Sequence, residues 1–110
     1  MARSSILVVA SSALLGTQAV AENWVEAGAS GIFVDTDTVR RGTDGLVYFS
    51  DKIRVGDTMG PTEKLAMDCS KRLTYVIRSD GSLSEGNPIE RNSTEDAELK
   101  FICSYGSEVR

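Results

Sequence analysis

The chain has 110 residues, 12 basic against 16 acidic, a formal net charge of −4, two cysteines and no histidine. That is enough for one small domain, and its mild acidity lacks the clustered Lys/Arg that displaces counterions, so nucleic acid is excluded as a partner. The missing histidine removes Ser-His and Cys-His nucleophilic pairs and the usual zinc, copper and haem ligand sets.

The amino-terminal stretch reads as an export signal. Arg3 supplies a positive start, Ile6 to Leu15 is apolar, and Ala19-Val20-Ala21 is the small-x-small pattern a signal peptidase cuts. Cleavage is expected between Ala21 and Glu22. The apolar run is too short for a bilayer span, which needs about 20 residues. The mature protein, residues 22–110, is therefore expected to have no integral membrane span. No cysteine follows the run, so there is no site for amino-terminal lipid attachment.

Short apolar-alternating segments then follow, divided by Gly/Asp/Asn/Pro clusters. The first candidate strand is Trp24 to Ala27, with Trp24 expected as a core plug. The second is Gly31 to Asp35, ending where the Asp35 carboxylate caps a turn or single helical turn at Thr36 to Val39. Thr43-Asp44-Gly45 supplies a turn with positive φ. Leu46 to Val55 is the clearest strand. Val47, Phe49, Ile53 and Val55 share one face, interrupted by Asp51, and Tyr48, Ser50, Lys52 and Arg54 line the other. A bulge, a strand end or an ion pair would account for Asp51. The segment Gly56 to Pro61 reads as a loop. Thr62 to Cys69 places Leu65, Met67 and Cys69 together, and Arg72 to Arg78 does the same for Leu73, Tyr75 and Ile77. The pairs Arg40-Arg41 and Lys71-Arg72 read as solvated turn and strand-edge residues, and Gly86-Asn87-Pro88 as a break. One apolar and one wet face indicate an antiparallel sheet covered on a single side.

The period then changes. Ser93 or Thr94 can cap a helix over 94–103, with Glu95, Asp96 and Glu98 in its first turns and Leu99, Ile102 and Cys103 as a narrow apolar stripe. A final strand over Leu99 to Cys103 is the competing reading, and Gly106 to Arg110 reads as a frayed tail. The fold class is α+β: a small antiparallel meander with one packed carboxy-terminal helix. Export and an even cysteine count predict a Cys69–Cys103 disulfide.

Few chemistries remain. Asp35-Thr36-Asp37 opens like a calcium loop but fails, since Val39 stands where an oxygen ligand belongs and Arg40 replaces the required glycine. Asn92-Ser93-Thr94 has the form of a glycosylation acceptor and serves as a capping run in a bacterial host. A pair of acids could act on a glycoside, but a domain this size leaves little room for a substrate cleft. The chain is read as non-enzymatic, with no catalytic, cofactor or metal residues.

The order of features carries a resemblance. Trp24-Val25, Ile32-Phe33-Val34-Asp35, Thr38-Val39-Arg40, Leu46-Val47-Tyr48, Met67-Asp68-Cys69, the segment Tyr75 to Gly81 and Ile102-Cys103 follow one another as in the surface-adhesin protein E family of Gram-negative bacteria. The mature chain resembles that family over essentially its whole length, with Trp24, Asp35, Cys69 and Cys103 as the matching scaffold positions. The resemblance implies a single α+β domain with one disulfide, dimerisation and, as in the family's best-known member, binding of host matrix proteins and haem. Without histidine the usual haem ligand is missing, and no binding segment transfers. The expected function is an exported protein-binding module whose sheet face or edge engages another protein, either host matrix or an envelope partner, with a homodimer as a further assembly. It would sit in the periplasm or on the outer surface of a Gram-negative bacterium. The competing function is a periplasmic accessory subunit or small inhibitor docked to a larger envelope complex.

Overall fold

The computed structural model describes residues 22–106. The segment read as an export signal, including Ala21 on one side of the expected cleavage point, and residues 107–110 lie outside the described residues.

Seven strands and one helix follow in chain order: β1 (Trp24–Glu26), β2 (Ile32–Arg41), β3 (Val47–Val55), β4 (Thr58–Met59), β5 (Glu63–Asp68), β6 (Leu73–Val76), β7 (Asn87–Pro88) and α1 (Thr94–Gly106). The strands form one antiparallel sheet in the order β1-β2-β3-β5-β6-β7, with β4 folded back on the end of β3. The α+β meander with a closing helix is thus what the alternation predicted. The helix reading of 94–103 holds, and α1 runs three residues further, into the segment read as tail.

Local chemistry explains most boundaries. Gly45 takes φ 86°, as the Thr43-Asp44-Gly45 turn requires, and Asp44 accepts the Leu46 N–H to close the hairpin. Asp68 accepts the Ser70 and Lys71 N–H groups at 3.1 and 3.0 Å, which turns the chain between β5 and β6. Those bonds, the one from Lys71 foremost, hold the Asp68 carboxyl below its ordinary range. Ser93 caps α1, its Oγ accepting the Asp96 N–H at 3.0 Å. Asp96 answers by accepting the Asn92 N–H at 2.9 Å, so the two side chains satisfy orphan amides reciprocally.

Three expectations are corrected. First, β2 does not end at Asp35. It continues to Arg41 through an irregularity, because Asp35 faces Ser50 while Arg40 faces Tyr48. Residues 36–39 therefore stand opposite Phe49 alone. The Asp35 carboxylate still works locally: it accepts the Asp37 N–H at 3.1 Å and also the Asn23 N–H at 3.0 Å, pinning β1. Second, the segments read as a loop and a break contain the two-residue strands β4 and β7, which are too short to show a period. Third, Arg72 is no solvated edge residue. Its guanidinium donates to Asp96 at 2.8 Å and to the Ile89 carbonyl at 3.1 Å, tying the start of β6 to the helix.

The helix packs on β2 and β3. Val34, Val39, Val47, Phe49, Leu65, Met67, Ile89, Leu99 and Ile102 make the core between helix and sheet. Cys103 bonds Cys69 with Cα atoms 5.8 Å apart, pinning the last turns of α1 to the chain just past β5. In the chain-entropy model, closing a loop of 34 residues contributes roughly 4 kcal/mol. Ile53 and Val55 point to the helix side but remain 45% and 72% exposed, since β3 runs past the ground that one helix covers.

Candidate docking surface

Cα partners across an antiparallel pair share a face. Register therefore sorts the uncovered side of the sheet. Trp24 and Glu26 of β1, Phe33 of β2, Tyr48, Ser50, Lys52 and Arg54 of β3, Lys64 and Ala66 of β5 and Tyr75 of β6 all point away from the helix. Trp24 belongs here and not in the core. It is half-buried, and its indole N–H donates to Glu22 at 3.1 Å. The trio Leu73, Tyr75 and Ile77 also lies on this side, opposite to Leu65 and Met67, because Ala66 faces Tyr75.

Three cations lie over three rings on this side: Arg40 over Tyr48 at 4.5 Å, Lys52 over Trp24 at 4.1 Å and Arg54 over Phe33 at 5.2 Å from the ring centroid. Arg40 with Tyr48 and Arg54 with Phe33 join the neighbouring strands β2 and β3, and Lys52 reaches across β2 to Trp24 on β1, so the ladder orders long side chains that would otherwise be free. Carboxylates stand at the border and are already engaged. Glu26 accepts the Gly31 N–H at 2.9 Å and lies 3.6 Å from Arg54. Asp44 accepts the Tyr48 hydroxyl; this bond holds the Asp44 carboxyl below its ordinary value and pushes the Tyr48 hydroxyl above its own. Arg40, Lys52 and Lys64 make no ion pair among the described residues. Three cations outside any ion pair thus share one face of an acidic chain.

The irregularity in β2 opens a cavity of about 210 Å³ in that face, lined by Thr38, Arg40, Tyr48, Ser50, Lys64 and Ile77 along with Phe49. With residues 36–39 arched away, the Thr38 hydroxyl takes the Ser50 N–H at 2.9 Å and passes its own proton to the Asp35 carbonyl at 2.7 Å. A larger hollow of about 500 Å³ runs beside α1, lined by Gly28, Ala97, Lys100, Phe101, Ser104 and Tyr105. Its cation is engaged, since Lys100 lies 3.4 Å from Asp96, and its walls are mainly apolar.

The buried acids form a different kind of site. Asp51 is 2% and Glu98 3% exposed, facing each other between β3 and α1 and sharing a hydrogen bond. A carboxyl, not a cation, is therefore the partner of Asp51. β3 passes straight through Asp51, paired with Val34 and Glu63, so neither a bulge nor a strand end explains it. Burial pushes both groups up, and Glu98, opposite the Asp51 charge and in the field of Glu95 and Glu63, is raised to about 10. The pair therefore retains a proton well above the ordinary carboxylate range. Among the described residues, Asp51 Oδ1 and Glu98 Oε2 have no hydrogen-bond partner. The sequence signal for Asp51 was its place on an apolar face; Glu98 gave none, because it follows Glu95 and Asp96 as one more acid near the start of a helix.

Other sequence candidates fall as follows. Cys69 and Cys103 are bonded to each other. Glu22 is exposed. In the Asn92-Ser93-Thr94 run, Ser93 is the cap and Asn92 takes φ 65° just before it. Among the described residues no group of three or more Cys, Asp and Glu is placed to hold a metal ion, and no helix is long and apolar enough to cross a membrane. Compared with known proteins, the chain matches no family model, no curated protein and no solved structure.

Proposed function

We propose that the mature chain is an exported, non-enzymatic protein-binding module, similar in role to the surface-adhesin protein E family, that engages its partner through the uncovered face of the sheet. The observation that carries this reading is the gathering of Arg40, Lys52 and Lys64, which make no ion pair among the described residues, on a face shared with Trp24, Phe33, Tyr48 and Tyr75. Aromatic and arginine side chains are enriched where proteins bind one another, and ordered cations give orientation and association rate. The disulfide fits an oxidising compartment, and export to the periplasm or the cell surface agrees with the leader pattern in the sequence.

The test is retention of the processed protein on immobilised host matrix proteins. It should be retained in low salt, released as ionic strength rises past the point where the Debye length falls to about 3 Å, and lost in the triple variant Arg40→Gln, Lys52→Gln, Lys64→Gln. Equal retention of that variant refutes the face. Failure to bind matrix, with stoichiometric capture of one envelope protein, refutes the adhesin role and supports the accessory-subunit reading.

A further inference from the structure

The cavity on the uncovered face has the size and chemistry of a receptor for a single side chain. Its volume of about 210 Å³ is below the roughly 300–1,000 Å³ typical of small-molecule pockets. Two cations from different strands flank it, Arg40 on β2 and Lys64 on β5, with the Ser50 hydroxyl between them on β3. Arg40 lies across the Tyr48 ring, which holds the guanidinium in place without neutralising it. The acids nearest in the pairing pattern are committed. Asp35, opposite Ser50, accepts the Asn23 and Asp37 N–H groups on one oxygen, and Asp44 accepts the Tyr48 hydroxyl and lies in the field of Arg40. The chain therefore flanks the cavity with two cations that make no ion pair among the described residues.

We infer that this cavity takes the carboxylate of an aspartate or glutamate from an extended segment of the partner protein, seated between Arg40 and Lys64. This rests on the docking reading above and names the chemistry of the partner. Charge selects the occupant. A second copy of this chain docked face to face would bring Arg40, Lys52 and Lys64 toward another set of cations wherever Glu22, Glu26 or Asp44 at the border do not reach them, and like charges brought together cost several kcal/mol. A segment with acids at alternate positions meets the opposite condition. Ser50 and Lys52 are two residues apart on β3 and point the same way, and an extended chain repeats its side chains at about 6.6–6.8 Å. One acid in the cavity thus brings the next within reach of Lys52. The ring-bound cations are already ordered, so little side-chain entropy is lost on binding.

The test is a titration of the ¹⁵N-labelled processed protein with three probes: an octapeptide of alternating Asp and Thr, the same peptide with Asn for Asp, and inorganic phosphate. The acidic peptide should shift the amides of Thr38, Tyr48, Ser50 and Lys64, and bind at least tenfold tighter than the Asn peptide. Lys64→Gln and Arg40→Gln should each weaken it several-fold with the remaining spectrum unchanged, and Lys64→Glu should remove the preference for acid over Asn. Equal binding of the acidic and Asn peptides overturns the inference. So does phosphate binding as tightly as the peptide, which marks a plain anion site. If the acidic peptide fails while the triple variant still abolishes matrix retention, the carboxylate receptor falls and the docking face stands.

Discussion

Replacing Glu98 by glutamine should make the domain more stable at alkaline pH and leave it nearly unchanged in acid. Glu98 is raised in the folded chain from an ordinary 4.5 to about 10, because it is buried and faces Asp51. Between those values the folded protein holds a proton that the unfolded chain has released. The contribution is therefore complete below about pH 4.5 and declines as pH rises toward about 10. One proton corresponds to about 1.4 kcal/mol per pH unit, hence about 4 kcal/mol between pH 5 and pH 8. Asp51, also raised by burial, acts in the same direction at lower pH. Local relaxation around the pair returns part of this, leaving roughly 2–4 kcal/mol. Glutamine keeps the shape and a donor toward Asp51 but needs no proton from solution. In a domain of this size each kcal/mol moves Tm by about 4–8 °C. Thermal unfolding by circular dichroism at pH 5, 6, 7 and 8 should show the native Tm falling steadily. The Glu98→Gln curve should stay flat and lie at least about 10 °C higher at pH 8. Two parallel curves across that range would show that no proton is held by the pair, and the reasoning would fail.

Other outcomes follow from single contacts. Replacing Cys69 and Cys103 by serine should cost roughly 4 kcal/mol by urea unfolding, and mass measurement of the native chain should show both sulfurs protected from alkylation until reductant is added. Ser93→Ala removes the acceptor for the Asp96 N–H and should destabilise by about 1 kcal/mol in the same assay. The Asn92 N–H and then Arg72 hold the Asp96 carboxyl down at about 2, so its contribution is present above about 3.8 and lost as pH falls through about 2. Arg72→Met should raise the midpoint of acid unfolding, and an unchanged midpoint would deny the ion pair that role. A Cβ at Gly42 would meet the Tyr48 ring at 2.7 Å and Asp44 at 2.6 Å. Gly42→Ala should therefore displace Tyr48, loosen Arg40 and weaken binding of the acidic octapeptide without removing the cations.

Much of the fold is legible in the residues themselves. The alternation of Val47, Phe49 and Asp51 against Tyr48, Ser50 and Lys52 marks β3 and both its faces, since a two-residue period survives any surroundings. Gly45, the Asp68 turn and the Ser93 cap mark their elements for the same reason: each acts on backbone within three residues. The short strands β4 and β7 carry no such period, and the passage of β2 beyond Asp35 depends on β3 lying alongside it.

Local pattern by itself determined the antiparallel meander and its apolar face, and pointed to the closing helix against a competing final strand over Leu99 to Cys103, while the cysteine pair followed from their even number and expected export. Only the tertiary structure decided which rings stand beside which cations, that Trp24 and Tyr75 lie outside the core, and that Asp51 meets Glu98. Those pairs join residues on different strands or on strand and helix, and their meeting is set by inter-strand register and by where one helix lies across the sheet. Register is a property of two chains of backbone side by side, so no window of a single chain contains it.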